Sequence, residues 1–510
     1  MMKGPIVPNR FAIPAWFAAN AVVLGLGLAG CRVGPAYVAP AVTAPAAFKE
    51  APVQGGDGVE WKVAQPQEAA LRGRWWEIYQ EPELNALEAQ LEIDNQTIRV
   101  AFENYMQARA LVRETRAQYF PAASVAPSYT RSRSSANLSS AAGSAPNQQF
   151  QVFALPGEVS WGPDLWGRVR NAVRASQYAA QVSAADLALE RLTEQASLAE
   201  YFFEIRGQDA LEKILDDTVD ADQKAFDAEQ ARYDTGVDDQ VALVQAETTL
   251  KAAQSAAINS RIARAQYEHA IAMLVGKLAS SFSIPVRAMT WAPPPIPIGL
   301  PSQLLERRPD VAASERNMAA ANAQIGIAYA AYYPSLTLTA TGGFESSVLK
   351  NLLDWPSRFW SVGATLSESV YDGGLRRATV HQYIALYNAN LAAYRQSVLA
   401  AFQQVEDYLA EVRLLSQQIR RQQEAVSSAR TFLQLEQARY DSGIDPYIDV
   451  TIAQTTLLSN QLALVNLHVQ DMTASVELIQ ALGGGWDRSQ LPTADQVTQA
   501  PSGPETAILK

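Results

Sequence analysis

Side chains able to do covalent, acid–base or metal chemistry are few and scattered in this chain. One cysteine, Cys31, stands among 510 residues, which excludes internal disulfides, cysteine-cluster zinc sites and CxxC redox chemistry. Three histidines, His269, His381 and His468, sit singly in stretches of helical character and have no metal-ligand or triad spacing. The seven methionines form no cluster suited to a soft metal, and no glycine-rich phosphate loop is present. An exported hydrolase would need a nucleophile constellation that is absent here, and any energy input must come from a partner. Two features stand out instead. Cys31 follows an apolar run, and tyrosines, arginines and aspartates flank two glycines, Gly236 and Gly443, in near-identical contexts.

Lys3 and Arg10 are the only charges before Arg32, and they precede an apolar run from Phe11 to Leu28. This is the pattern of an export signal. It ends Leu28-Ala29-Gly30-Cys31, small residues before a cysteine, which resembles the bacterial lipobox, where the signal is removed and the cysteine acquires lipid. A mature chain starting at Cys31 would be held stably by acyl chains worth about 0.8 kcal/mol per buried methylene. Arg32, in a position where such lipoproteins carry Asp when kept in the inner membrane, favours outer-membrane delivery. Elsewhere no run approaches 18 consecutive apolar residues, which leaves β-strands, whose signal is alternation, as the remaining way to span a bilayer.

The 41 basic and 52 acidic residues give a net charge of −11, arguing against an unaided nucleic-acid binder. A hydrophobic fraction of 48% supplies a sizeable core. All 27 prolines lie outside two windows, residues 164–284 and 357–445, and both windows are rich in Ala, Gln, Leu, Glu and Arg, which predicts long helices. Arg168 to Asp234 and Leu375 to Ser442 would each extend about 100 Å at 1.5 Å per residue. The windows are copies: Glu229 to Asp238 matches Glu436 to Asp445 at eight of ten positions with an offset of 207. The same offset pairs Gly167 with Gly374, Thr248-Thr249-Leu250 with Thr455-Thr456-Leu457, and Gly276 with Gly483. Each copy therefore contains a helical hairpin, its long arm ending at a glycine and its return arm expected to be capped by Asp238 or Asp445. Similarly, Asp310 is expected to cap a helix running to Tyr332.

Before each long helix lies a stretch of period two, introduced by Tyr119-Phe120-Pro121 or Tyr332-Tyr333-Pro334. Ser335 to Thr341 and Trp360 to Ser367 alternate polar and apolar, and Ala122 to Arg133 with Phe150 to Trp161 do so less cleanly. Two hairpins, four strands in all, are predicted. They could pack on the helical bundle in water or face lipid. In lipid, four strands leave open edges that are intolerable, so several chains must close the sheet. Two chains would give eight strands and a filled interior; three would give twelve and room for water.

At this point the sequence resembles the outer-membrane factors of tripartite efflux systems, the TolC-like family, in its NodT-like lipoprotein branch. The resemblance rests on Gly30-Cys31-Arg32-Val33-Gly34-Pro35, Trp75-Trp76-Glu77-Ile78-Tyr79, Leu300 to Asp310 with Arg307-Arg308-Pro309-Asp310, and Ala481-Leu482-Gly483-Gly484-Gly485-Trp486. It implies a mainly α fold with transmembrane β: a trimeric 12-stranded β-barrel, four strands per chain, continued by a long periplasmic α-helical barrel and internally duplicated. The organisation would then be a signal peptide over 1–30, a lipidated extended segment and equatorial region over 31–82, and first-half helices over 83–119. A first β-hairpin (120–163), a first long helical hairpin (164–276) and a Pro-rich linker (277–309) follow. The second half repeats this with a helix (310–332), a β-hairpin (333–372) and a long helical hairpin (373–483), before a C-terminal tail (484–510).

The resemblance also assigns roles. The chain would be an exit duct, passively conducting small molecules received from a periplasmic adaptor and an inner-membrane transporter. It would work as a homotrimer in the outer membrane of a Gram-negative bacterium, lipid-anchored and barrel-spanning, with no cofactor besides diacylglyceryl and N-acyl lipid on Cys31. Its periplasmic gate would involve Tyr440, Asp445, Ile448, Asp449 and Ile452, and the adaptor would meet tips carrying Arg232, Tyr233, Asp234, Gly236, Arg439, Asp441 and Gly443. A ring of three Asp449 carboxylates would make the pore cation-preferring. Ile452 is apolar where relatives often carry an acid, and Ala242 stands at the first-half position equivalent to Asp449. Plain alternatives accompany these roles: Asp445 as a helix cap, Asp449 as a solvated side chain, and the tips as ordinary tight turns. A periplasmic structural coiled-coil lipoprotein or a pump adaptor is the competing reading, and it would be expected to show one helical hairpin between split β domains.

Overall fold

The computed structural model describes residues 33–41, 45, 47–50, 73–133, 135, 149–288, 293–296 and 301–499. The signal peptide, Cys31 and Arg32, most of the Ser-rich connection before Gln149, parts of the Pro-rich linker and the end of the tail lie outside these residues.

Helices α1 (Pro82–Asp94) and α2 (Gln96–Ala117) lead into strands β1 (Ala122–Val125), β2 (Ser128–Arg133) and β3 (Gln149–Trp161). Then come α3 (Arg168–Asp234), α4 (Gln240–Leu274), the short α5 (Pro301–Arg307) and α6 (Pro309–Ala330). Strands β4 (Ser335–Ser346) and β5 (Arg358–Ser367), helices α7 (Leu375–Asp441) and α8 (Tyr447–Ala481), and the short α9 (Ala494–Thr498) complete the chain. The duplication is literal. Helices α3 and α7 are both 67 residues long, α4 and α8 both 35, and α2 and α6 both 22.

The predicted first strand is broken in two, because Pro127 has no N–H to give to the ladder. Pairing stays in step across the gap: Val125 faces Gly157 and Ser128 faces Ala154, and the Ala126 amide bonds the Pro156 carbonyl at 3.2 Å. The sheet is antiparallel throughout, with β1 and β2 on β3, β3 on β4 and β4 on β5. Four strand paths result. The contact between the halves is tight at Gly343, where a Cβ would lie 2.1 Å from the Leu155 carbonyl oxygen. Only glycine permits that approach.

The register sorts the side chains. One face presents Ala123, Val125 and Tyr129, then Phe153, Leu155, Val159 and Trp161, then Leu336, Leu338, Ala340 and Phe344, then Trp360, Val362, Ala364 and Leu366. The other presents Ser124, Thr130, Glu158, Ser160, Thr337, Thr339, Thr341, Ser361 and Thr365. Such a continuous apolar face, exposed on Val125, Trp360, Val362 and Leu366, suits lipid; water would not tolerate a patch of this size.

The main core sits midway along the long helices, where Trp75, Leu84, Leu198, Phe202, Phe203, Leu409 and Met472 are buried together. Beside it, fully buried Arg206 pairs with Asp209 and Glu83, both at 2.6 Å, and Arg264 reaches Asp209 at 2.7 Å. Arg206 also donates to the Pro285 carbonyl at 2.8 Å, so one ionic cluster ties α1 and the first helical hairpin to the segment following it. Helix α6 starts with Arg308 at the N-cap, not Asp310. Asp310 lies in the first turn, where its carboxylate takes two bonds from Arg308, at 3.0 and 2.7 Å, and the helix stops at Ala330, short of Tyr332.

Replacing Val362, in the middle of the apolar face, with Arg should destabilise the membrane-embedded protein by about 2–4 kcal/mol, whereas Thr339→Arg on the opposite face should cost far less. Urea unfolding from lipid vesicles measures both; equal costs would remove the assignment of faces.

Candidate functional site

Three places carry the candidate function: the sheet, the segment following Cys31, and the hairpin tips at the other end of the long helices.

The junction between sheet and helices is aromatic. Trp166 stacks on Tyr333 with centroids 4.8 Å apart and donates to the Pro334 carbonyl at 2.8 Å, while Trp161 donates to the Tyr119 carbonyl at 3.0 Å. Into this junction runs the segment that follows Cys31. The Val33 amide bonds the Trp166 carbonyl at 3.3 Å, Asn171 holds the Val33 carbonyl at 3.1 Å, and Asn322 holds the Pro35 carbonyl at 3.1 Å. Farther on, Tyr37 donates to the buried carboxylate of Glu315, which Arg488 also engages at 3.2 Å. Position 31 itself lies outside the described residues, two residues before this anchored point.

At the far end each long helix closes with the same turn. The Val237 amide bonds the Arg232 carbonyl at 2.9 Å and the Gly236 amide the Tyr233 carbonyl at 2.9 Å; Ile444 with Arg439 and Gly443 with Tyr440 repeat this at 2.9 and 2.8 Å. This paired closure demands a left-handed residue, and Gly236 and Gly443 have φ of 74° and 69°. The expected caps are corrected here. Asp238 and Asp445 do not cap the return helices; they turn back onto Arg232, at 2.6 Å, and onto Arg439. Asp239 caps α4, accepting from the Val241 and Ala242 amides at 3.0 and 3.1 Å, while Pro446 occupies the N-cap of α8. Asp238 and Asp445 stand one residue before the N-cap positions, where each meets the arginine six residues earlier instead of the amides of the return helix.

The two tips are locked together asymmetrically. Tyr440 donates its hydroxyl to Glu229, which is buried, and Arg232 stands over the Tyr440 ring at 5.0 Å from its centroid. Tyr440 also meets Tyr447 edge-on at 5.5 Å. Burial, reinforced by the Glu229 carboxylate, pushes the Tyr440 hydroxyl well above its usual range. Tyr233, the first-half counterpart, is exposed. Glu229 was missed by sequence reasoning although it opens the repeated block, because its twin Glu436 looks identical in sequence and has other neighbours.

Around Arg439 the acids gather. Glu436, Asp445 and Asp449 place carboxylate oxygens within 4.8 Å of one another, and the Arg439 guanidinium holds the Asp445 carboxyl below its usual range. The sequence-derived gate residues thus divide: Tyr440 bonds the other hairpin, Asp445 and Asp449 sit in the arginine-centred group, and Ile448 and Ile452 are exposed one turn apart. Asp234, Asp441, Arg232 and Arg439 all lie in the last turns of α3 and α7.

A sheet with one lipid-compatible face and two open edges, joined to paired helical hairpins about 100 Å long, defines a subunit of a membrane-spanning channel. Residues 87–277 and 300–484 match the family described as outer membrane efflux protein, one segment for each half of the duplication, and the chain belongs to that family. Over 472 residues it is 31% identical to the solvent efflux pump outer membrane protein SrpC of Pseudomonas putida, covering 91% of this chain and 97% of that protein. Outer membrane protein OprJ of Pseudomonas aeruginosa is 30% identical, with 93% and 97% covered. Among solved structures, the outer-membrane channel OprN superposes with a TM-score of 0.80 at 26% identity, covering 89% of this chain and 100% of that one. Campylobacter jejuni CmeC gives 0.83 at 20% identity, over 90% and 96%, and supports the fold. The protein is therefore an outer-membrane exit duct for efflux. It contributes four strand paths to a trimeric twelve-stranded barrel, continued by an α-helical barrel on the periplasmic side.

Near the lock, Asp222 is buried with one oxygen unpartnered, and burial raises its pKa to about 6. Its unfolded value is near 3.9, so between these values the folded state binds more protons and stability falls as pH rises. Asp222→Asn should therefore stabilise the protein at pH 8, by about 1–2 kcal/mol, and have no such effect below about pH 4. Thermal melts of the detergent-extracted protein at the two pH values check this.

Proposed function

We propose that this duct receives its substrates from a periplasmic adaptor and an inner-membrane transporter, and that the hairpin tips are both its docking surface and its gate. The observation that carries the reading is the apolar surface repeated on both tips. Val237 and Val241 on the first hairpin, and their counterparts Ile444 and Ile448 on the second, are all exposed at the end farthest from the sheet. A trimer would present six such tips in a ring, a surface suited to a partner that itself offers repeated copies. Arg232, Tyr233, Asp234 and Gly236, with Arg439, Asp441 and Gly443, form the polar part of that surface. The chain has no phosphate loop of its own, so conduction is passive and the energy is the transporter's.

Within the tips, Tyr440 with Glu229 ties the two hairpins, and the ring made by Asp449, Ile448 and Ile452 sets which solutes pass when they part. Three Asp449 side chains around an axis would favour cations, tempered by Arg439, whose guanidinium pairs with Asp445 in the same group. Cys31 carries lipid. Support comes from the anchored strap: Val33 is fastened at Trp166, in the aromatic junction where the sheet meets the helices, so acyl chains two residues earlier would begin at the periplasmic membrane surface. This fits the lipobox and the outer-membrane location, and supports a place in the lipoprotein branch of the family. The duplicated hairpins and four strand paths speak against the structural coiled-coil or adaptor reading.

Planar-bilayer recordings test the gate: Asp449→Ala should lower cation selectivity, and unchanged selectivity would take Asp449 out of the constriction. Metabolic labelling with radioactive fatty acid should mark the unaltered protein and leave Cys31→Ser blank; label persisting in the variant would overturn lipidation. Crosslinking from a photoreactive residue at position 237 or 444 in cells should capture the periplasmic adaptor, and its failure at both would sink the docking surface.

A further inference from the structure

At the end of the sheet away from the helices, the connection from β4 to β5 is more apolar than a loop in water needs to be. Of its residues 347–357, Val348, Leu349, Leu352, Leu353 and Trp355 are large and apolar, and all but Leu352 are exposed, Leu353 at 68% and Trp355 at 74%. The corresponding first-half connection, residues 134–148, has one leucine and no aromatic residue. The second-half loop is ordered by its own backbone. Two short 3-10 turns, Leu349–Asn351 and Trp355–Ser357, sit in a run of amide-to-carbonyl bonds: Asn351 to Val348 at 3.1 Å, Leu352 to Leu349 at 3.2 Å, Asp354 to Asn351 at 3.1 Å and Ser357 to Asp354 at 3.0 Å. The Ser357 hydroxyl adds a bond to the Asn351 carbonyl at 2.7 Å. Backbone groups paired in this way can leave water at small cost.

Both ends of this loop are drawn to the lipid side of the sheet. Gln151 and Arg358 stand on the face that carries Tyr129, Phe153, Trp360 and Val362. The Gln151 side-chain amide donates to the Ser347 carbonyl at 3.1 Å. Arg358 donates to the Trp355 carbonyl at 3.1 Å, and its guanidinium lies over the Trp355 ring. Trp355 is thereby held beside Phe344 and Arg358, the last pair of the β4–β5 ladder at that end. The apolar side chains of the loop thus continue the lipid-facing surface past the ends of its strands. That height is where indole rings settle between hydrocarbon and headgroups, and where Lys350 and Arg358 can keep their charged heads in the wet layer.

We propose that residues 347–357 form a membrane-surface anchor, with Leu349, Leu353 and Trp355 entering the boundary between headgroups and acyl chains of the outer leaflet. A trimer carries three such loops around its rim, and together they fix the depth at which the barrel sits. The proposal rests on the assignment of the apolar face of the sheet to lipid.

The test places a fluorescent dansyl amino acid, one site at a time, at position 349 or 353 of the assembled full-length protein in phosphatidylcholine vesicles. Controls carry it at 362, in the middle of the apolar face, and at 339, on the opposite face. The quenchers are phosphatidylcholine brominated high on its acyl chains, and iodide in the water. Emission from 349 or 353 should be lost to brominated lipid, as at 362, and kept in iodide, which should quench the label at 339. Quenching by iodide at both loop positions, whether the loop stands in outer water or folds over the lumen, would overturn the anchor. Protection from both quenchers, the result if another protein segment covers the loop, would overturn it as well. Failure of brominated lipid to quench at 362 would bring down the assignment of faces itself, and is thereby told apart from failure of the loop alone. Both loop positions are exposed and lie outside the strands, so the labelled chains should assemble, and the two are read independently.

Discussion

An unpaired strand edge cannot be left in hydrocarbon, and that constraint organises this molecule. Each exposed amide or carbonyl there costs several kcal/mol, and the chain supplies four strand paths whose outer edges, β1–β2 on one side and β5 on the other, pair with no further strand among the described residues. Closure must come from copies. Once three chains share a barrel, the polar face with Thr337, Thr339 and Thr341 turns to a water-filled lumen and the apolar face turns to lipid. Duct, membrane anchor and oligomer are then one requirement met once.

The long helices follow from the same geometry. Each half sends a β-hairpin into the membrane and a helical hairpin away from it, and the equal lengths of α3 and α7, and of α4 and α8, keep the tips of both halves level. The core around Trp75, Phe202, Leu409 and Met472, with the buried Arg206–Asp209–Arg264 cluster beside it, fixes the helices at mid-height, and turns at Gly236 and Gly443 end them. Removing one partner from such a buried ionic group typically costs about 3–5 kcal/mol, so the cluster acts as a fixed point about which the distant tips are aimed. The tips are held by the Tyr440–Glu229 bond and by a small apolar cluster of Ala246, Tyr447 and Val450.

Much of the architecture was legible in the sequence. Proline-free windows, glycines at the turns and the offset of 207 gave the helical hairpins nearly to the residue, because long helices have strong local signals. Alternation gave the strands of the second half more clearly than those of the first, where Pro127 interrupts the ladder. The caps were misread. A sequence shows that Asp238 and Asp445 stand where a cap could be, but not that an arginine six residues earlier reaches them first.

By itself the sequence determined the local periods: which stretches are helices and strands, where they turn, that the chain is exported, and that the fold is built twice. It could not assign different roles to identical words. Glu229 to Asp234 and Glu436 to Asp441 are the same six residues, yet Tyr440 is bonded to Glu229 while Tyr233 faces outward, and Glu436 stands among Asp445 and Asp449. The pairing of β3 with β4 across the two halves, and hence which faces share a lumen, was likewise invisible. Both are settled by contacts between residues some two hundred positions apart, and two copies of one motif packed in a single chain necessarily meet different neighbours.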